Sequence, residues 1–189
     1  MFDLYYKKND NSALFESFRN VGITNVQNFI PLYKQFFSLK ESNYKNLNLN
    51  HHFHIIQVEQ TNKRNKYNCI IDSGDKKQNK LCFFKFSPLL DPVKFMVGKY
   101  KDLGETKKTS LPELNESNCH KKVLDPNNSA YVDSFFSYLT SQLYHNCYFP
   151  HGLDFFGSFL GIQKEFNYNI ADDIDYLHDS TYFHKNQNE

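Results

Sequence analysis

The chain has 189 residues, and 22 lysines and arginines face 21 aspartates and glutamates, so the formal net charge is +1. A chain of this length accommodates one domain with a sizeable core. The near balance of charge argues against general nucleic-acid binding, because domains with that function are strongly basic. No apolar run approaches the length of a membrane-spanning helix, so we expect no membrane association.

The first predicted element is a pair of helices near the N-terminus. Apolar residues recur at helical spacing over 12–21. Thr24 and Gln27 then form a capping-box pattern, and helical spacing continues to about residue 39. We therefore predict a helical hairpin over 12–39, and we assign it to an N-terminal unit spanning residues 1–45.

Three segments that follow alternate between apolar and polar residues, which is the pattern of half-buried strands. They cover residues 52–58, 67–72 and 81–87, and turn-forming residues at 72–75 separate the second from the third. Because the connections are short, we predict that the three strands form an antiparallel meander.

Two Asp-Pro pairs predict helix starts, because aspartate suits the N-cap position and proline the first helical position. The first pair begins at Asp91 and the second at Asp125, and the segment 101–124 between the two helices has the composition of a surface loop. The second pair opens the strongest helical pattern of the chain, 126–145. Its predicted buried stripe consists of Val132, Phe135, Phe136, Leu139 and Leu143.

The C-terminal third adds strands and an acidic segment. We predict a turn and a strand within 149–162, a further strand at 166–170, and an acidic helix or turn at 171–183, followed by a polar tail at 186–189. The predicted fold class is therefore α+β: an antiparallel sheet of about five strands packed by the long amphipathic helix, over residues 46–185, with the helical hairpin before it.

Cysteine and histidine spacing gives no metal-binding or disulfide pattern. No two of the four cysteines are spaced as C-x-x-C, and the first residues lack the apolar stretch of a signal peptide, so we expect free thiols in a reducing compartment. The histidines His51, His52 and His54 suggest zinc, but no cysteine or acidic residue lies at ligand spacing beside them. We therefore predict no metal site.

Two charged side chains stand out from apolar surroundings. Lys85 lies within the aromatic segment Cys82-Phe83-Phe84-Lys85-Phe86, where an amine either reaches water or meets an anion. Asp133 is the only carboxylate inside the strongest helical pattern. The simpler interpretation of both residues is an ordinary solvated lysine and a solvated carboxylate in an early helical turn, where a negative charge suits the helix dipole.

The order of these elements resembles the N-terminal lobe of a protein kinase, in which a strand lysine holds the nucleotide phosphates and pairs with a helix acid. The likeness implies that Lys85 and Asp133 form that pair and that Asp175 lies near a ribose, with ATP and magnesium as ligands. The chain departs from the kinase pattern at several points. It has no G-x-G-x-x-G between residues 50 and 80, Asp133 replaces a glutamate, and neither H-R-D nor D-F-G occurs. The likeness therefore implies at most an incomplete, nucleotide-binding version of the domain.

Three stretches carry a second resemblance: CFFKFSPLLDP at 82–92, DPNNSAYVDSFF at 125–136 and HGLDFFGS at 151–158. They resemble uncharacterised proteins of giant nucleocytoplasmic DNA viruses of the mimivirus kind, over about residues 50–180. The resemblance implies a setting in the host cytoplasm or the virion and brings no activity with it. Our leading hypothesis is a viral binding or structural domain that needs no cofactor and acts through a viral or host protein. The alternative is the divergent kinase-like nucleotide binder.

Overall fold

The computed structural model describes residues 7–8, 10–49, 53–115 and 118–187. Seven strands lie in these ranges: β1 (Lys7–Lys8), β2 (Ile23–Gln27), β3 (Leu47–Asn48), β4 (His54–Glu59), β5 (Lys66–Asp72), β6 (Lys77–Phe83) and β7 (Leu160–Gln163). The α-helices there are α1 (Ser12–Asn20), α2 (Pro92–Met96), α3 (Glu105–Thr109), α4 (Lys121–Leu124), α5 (Ser129–Cys147), α6 (Ile174–His178) and α7 (Thr181–Lys185). Short 3-10 helices cover Pro31–Gln35, Tyr44–Asn46 and Ala171–Asp173.

The architecture is mixed α+β with antiparallel sheets and one long helix, which confirms the predicted fold class. Five of the strands in the described ranges have four residues or more, but they are divided between two sheets. A further pair of two-residue strands, β1 and β3, forms a small sheet of its own. Within the described residues, no helix combines the length and the apolar character needed to cross a bilayer.

The predicted meander is present, with β5 between β4 and β6, but its third strand is Lys77–Phe83, whereas the prediction placed it at 81–87. The inner face of the central strand consists of Tyr67, Cys69 and Ile71, all of them buried. Helix α1 covers this face with Leu14 and Phe18, which belong to the same apolar cluster. Burial on one face and exposure on the other follow from the two-residue period of a strand.

The predicted helical hairpin is wrong in its second half, because β2 occupies residues that were assigned to the second helix. Thr24 and Gln27 do not cap a helix; they pair with Ile162 and Leu160 of β7. Thr24 and Ile162 are 138 residues apart in the chain, so the local residue spacing could not predict that these two segments pair. Gly161 allows the close approach, since a Cβ atom there would lie 2.8 Å from a methyl carbon of Ile23.

The long helix begins later than predicted. The Asp125 carboxylate accepts a hydrogen bond from the Asn127 backbone N–H at 2.8 Å and closes a turn. Asn128 is the actual N-cap, and its side chain accepts from the Ala130 N–H at 3.1 Å. An aspartate can form either a turn or a cap, so the Asp-Pro signal was ambiguous here. At Asp91 the same signal was right, because its carboxylate caps α2.

Helix α5 also buries a different face from the predicted stripe. Val132 and Phe136 are 46% and 63% exposed. The residues that are buried instead are Tyr131, Phe135, Tyr138, Ser141 and Gln142. Two of their hydroxyls have partners in the interior: the Tyr131 hydroxyl donates to the Val123 carbonyl at 2.7 Å, and the Ser141 hydroxyl accepts from the Phe155 N–H at 3.1 Å. A face that contains hydroxyls and an amide can therefore be the buried one.

The C-terminal third follows the prediction in part. The strand expected within 149–162 is β7, and the acidic segment forms a 3-10 helix, α6 and α7. The segment 166–170 is not a strand: its first four residues are exposed, and Phe166 stacks on Tyr168 with ring centroids 6.4 Å apart. No neighbouring strand in the described ranges pairs with it, and the Asn167 carbonyl accepts from the Arg64 side chain at 3.5 Å instead. The segment 101–124, predicted to be a loop, contains α3 and α4.

Candidate functional site

Lys85 lies two residues beyond the end of β6, and the alternation of the strand continues through it. The rings of Phe84 and Phe86 turn inward and contact Tyr67, at centroid distances of 4.5 Å and 6.4 Å. These two anchors fix the backbone, and Lys85 between them is directed to the opposite, exposed side. The aromatic neighbours thus orient the amine without burying it.

Asp133 lies in the second turn of α5 and meets this amine. Lys85 Nζ and Asp133 Oδ2 are 2.8 Å apart, so the predicted contact between the two residues is present. The two side chains are 64% and 46% exposed. In such exposed pairs, water and salt screen the attraction, and the usual contribution to stability is about 0–1 kcal/mol.

The other parts of the kinase-like arrangement are not assembled around this pair. Asp175 is exposed on α6, and within the described ranges no hydrogen bond or ion pair joins it to Lys85 or Asp133. Strand β7, expected beside the meander, pairs with β2 instead. The structure thus brings together two of the three predicted site residues.

Exposed apolar side chains flank the ion pair on both elements. Leu81 and Phe83 on β6 are 52% and 65% exposed, and Val132 and Phe136 on α5 share the exposed side of the helix with Asp133. We define the bridge surface as Leu81, Phe83, Lys85, Val132, Asp133 and Phe136. The sequence did not predict this surface, because Val132 and Phe136 fit the spacing of a buried stripe. The signal that could have revealed it is the alternation in β6, which places Leu81, Phe83 and Lys85 on one face.

A surface depression lies elsewhere on the molecule. It has a volume of about 460 Å³ and is lined mainly by polar side chains, including Asn25, Gln27, Ser110 and Glu113. Lys85 and Asp133 do not line it. The Glu113 carboxylate accepts from the Tyr44 hydroxyl at 2.5 Å, and burial followed by this hydrogen bond raises the pKa of Tyr44. The carboxylate that lines the depression, Glu113, therefore already has a hydrogen-bonding partner within the chain.

All four cysteines are free thiols, as predicted. Cys69 and Cys82 lie on the inner face of the meander, where the hydrogen bond that the Cys69 thiol donates to Cys82, together with burial, raises the pKa of Cys69. The hydrogen bond with Cys69 lowers the pKa of Cys82, and Lys80 adds to that effect. In the part of the chain that the structure describes, no three histidine, cysteine or acidic side chains form a metal-binding group. His51 and His52 lie outside the described residues.

Comparison of the chain with protein-family models, with curated proteins and with solved structures finds no match.

Proposed function

We propose that this chain is a non-catalytic viral binding or structural domain and that the bridge surface is its contact with a protein partner. The observation that carries the proposal is that the Lys85–Asp133 ion pair joins two segments that together carry four exposed apolar side chains. Exposed apolar groups rimmed by charge are typical of protein interfaces, where aromatic side chains contribute most of the binding energy.

The test removes the aromatic side chains and retains the fold. Phe83 and Phe136 are mostly exposed, so the double substitution Phe83→Ser and Phe136→Ser is expected to leave stability nearly unchanged. Tagged protein from infected cells is expected to lose its partner on this change, because each aromatic anchor contributes about 2 kcal/mol or more at a central position.

The control is the double substitution Tyr148→Ser and Leu153→Ser, which removes two side chains that are 93% and 81% exposed and lie outside the bridge surface. It is expected to retain the partner. Equal losses in both variants, or a wild-type chain that captures no protein, would contradict the proposal.

The proposed setting is the host cytoplasm or the virion, and it is supported by the resemblance of the segments at 82–92, 125–136 and 151–158 to proteins of giant DNA viruses. Quantitative mass spectrometry of purified virions and of cytoplasmic fractions tests it. We expect peptides of this chain in at least one of the two fractions, and their recovery from neither would contradict the setting.

A divergent kinase-like nucleotide binder is the second candidate, and the observation in its favour is the 2.8 Å contact between Lys85 and Asp133. Thermal unfolding with and without ATP and magnesium tests it. A nucleotide at 100 times its Kd would stabilise the chain by about 2.7 kcal/mol. Lys85→Ala would abolish the shift, whereas Lys101→Ala, at another exposed lysine, would retain it. A shift that is absent, or that survives Lys85→Ala, excludes this candidate.

A further inference from the structure

Strand β6 has an open edge. It pairs with β5 along all seven of its residues, from Lys66↔Phe83 to Asp72↔Lys77, and no strand in the described ranges lies on its other side. Nor does any backbone hydrogen bond within those ranges join β6 to a loop. Unpaired N–H and C=O groups along such an edge form a template for another extended segment.

The register shows which backbone groups point to this edge. Just beyond the ladder, the Phe84 N–H donates to the Asn65 carbonyl at 2.8 Å. In an antiparallel pair, successive residues alternate between bonding the neighbouring strand and pointing away from it. Phe84 bonds toward β5, so the alternate residues of β6 direct their N–H and C=O groups to the open edge. They are Lys77, Asn79, Leu81 and Phe83.

The same four residues also carry the exposed side chains of the strand. Leu81 and Phe83, which belong to the bridge surface, are the apolar pair among them. An added strand would therefore find hydrogen-bonding groups at the edge and apolar side chains on the adjoining face. Peptides that join a sheet in this way gain affinity from the backbone and specificity from alternate side chains.

Charge decides which occupant fits. Residues 76–85 contain four lysines, Lys76, Lys77, Lys80 and Lys85, and no acidic residue. Lys85 is neutralised by Asp133, and the Lys80 amine lies over the rings of Phe53 and Phe156 at 5.5 Å and 5.2 Å. Asp72, opposite Lys77, accepts a hydrogen bond from the Gly74 N–H at 2.7 Å. Two copies paired through β6 would bring their lysines together, which is unfavourable, whereas acidic side chains would meet opposite charge.

We propose that the open edge of β6 accepts an extended, acidic segment of a protein partner as an added strand. The inference rests on the protein-binding function proposed above and specifies the mode and the chemistry of binding. The added strand bonds to Lys77, Asn79, Leu81 and Phe83, and its acidic side chains lie near Lys76 and Lys77.

The probe is a fluorescein-labelled ten-residue peptide that alternates valine with glutamate, and binding to the full chain is followed by fluorescence anisotropy. We expect saturable binding, and we expect a peptide that alternates valine with lysine to bind on the order of tenfold more weakly. The double substitution Lys76→Glu and Lys77→Glu, at two exposed positions, is expected to reverse this preference.

Two N-methylated versions of the acidic peptide test the backbone contact and leave the protein unchanged. One is methylated at the odd-numbered amides and the other at the even-numbered amides. Only alternate amides of an added strand face the sheet, so one version is expected to lose affinity on the order of tenfold or more and the other to retain it. Asn79→Pro removes one N–H that points to the open edge, so it is expected to weaken binding of the unmethylated peptide as well.

Three results would overturn the inference. They are no saturable binding of the acidic peptide, equal binding of the two N-methylated versions, or dimerisation of the chain through β6 in sedimentation experiments. If the bridge-surface substitutions still abolish partner capture in any of these cases, the proposed function stands and only the mode of binding fails. If these substitutions leave partner capture intact, the proposed function and the proposed mode of binding are both wrong.

Discussion

The two outer strands of the meander differ in whether other parts of the chain cover their outer edges. The outer edge of β4 is covered by the chain itself: the Ile55 N–H donates to the Phe156 carbonyl at 3.4 Å, and the Val58 N–H donates to the Ser17 hydroxyl at 3.0 Å. The outer edge of β6 has no such cover in the described ranges, and its exposed residues are lysine, asparagine, leucine and phenylalanine.

This difference separates two uses of an edge strand. Where the chain covers an edge, the backbone groups are satisfied internally and the side chains can join the core, as Ile55 and Val58 do. Where the edge is open, water satisfies the backbone and the side chains contribute little to stability. Residues at the open edge can therefore be replaced at small cost to the fold, and their effect should appear in binding.

The largest expected effect contrasts one apolar residue from each outer strand. Ile55 on β4 is 5% exposed, whereas Leu81 on β6 is 52% exposed. Ile55→Ala is expected to lower the free energy of unfolding by about 2–5 kcal/mol, because it leaves a cavity in the core. Leu81→Ala is expected to change it by no more than about 0.5 kcal/mol. Urea denaturation followed by circular dichroism measures both, and a similar loss in the two variants would mean that the β6 side chain is also buried.

A smaller effect is expected from the hydroxyl that covers the β4 edge. The buried Ser17 hydroxyl donates to the Leu14 carbonyl at 2.7 Å and accepts from the Val58 N–H. Ser17→Ala leaves that N–H buried without an acceptor, so we expect a loss of about 1–3 kcal/mol in the free energy of unfolding.

Ser137→Ala is the matched control, because Ser137 is also helical and donates to a preceding carbonyl, that of Asp133, but is exposed. Its replacement is expected to be nearly neutral. Equal stability of the two variants would show that water reaches the Val58 N–H and that the β4 edge is less well covered than the distances indicate.

Local patterns predicted the elements of this fold better than their partners. Alternation predicted the three strands of the meander, since a half-buried strand has a two-residue period whatever surrounds it, but it placed the third strand at 81–87 instead of Lys77–Phe83. It could not show which outer strand would be covered, because the cover comes from Ser17 and Phe156, far away in the chain. For the same reason β2 was mistaken for part of a helix. Its residues fit the start of a helix, and its partner strand, β7, begins only at Leu160.

The candidate site was predicted in its central pair and missed in its surroundings. The aromatic context of Lys85 and the isolation of Asp133 in its helix were visible in the sequence, and the structure brings them together. The exposed positions of Val132 and Phe136 were not visible. Choosing the buried face of α5 required knowing that Tyr131 and Ser141 would find hydrogen-bonding partners in the core. Apolar periodicity carries no information on such partners.

The smallest expected effect concerns the ion pair beside the open edge. A double-mutant cycle with Lys85→Ala and Asp133→Ala is expected to give a coupling of about 0.2–1 kcal/mol in the free energy of unfolding, because both groups are solvated. The coupling should fall further at 1 M salt, where the screening length is about 3 Å. Urea denaturation at two salt concentrations measures it. A coupling above about 2 kcal/mol that is insensitive to salt would indicate that the pair is shielded from water. The side of the molecule that carries β6 would then not be an exposed surface.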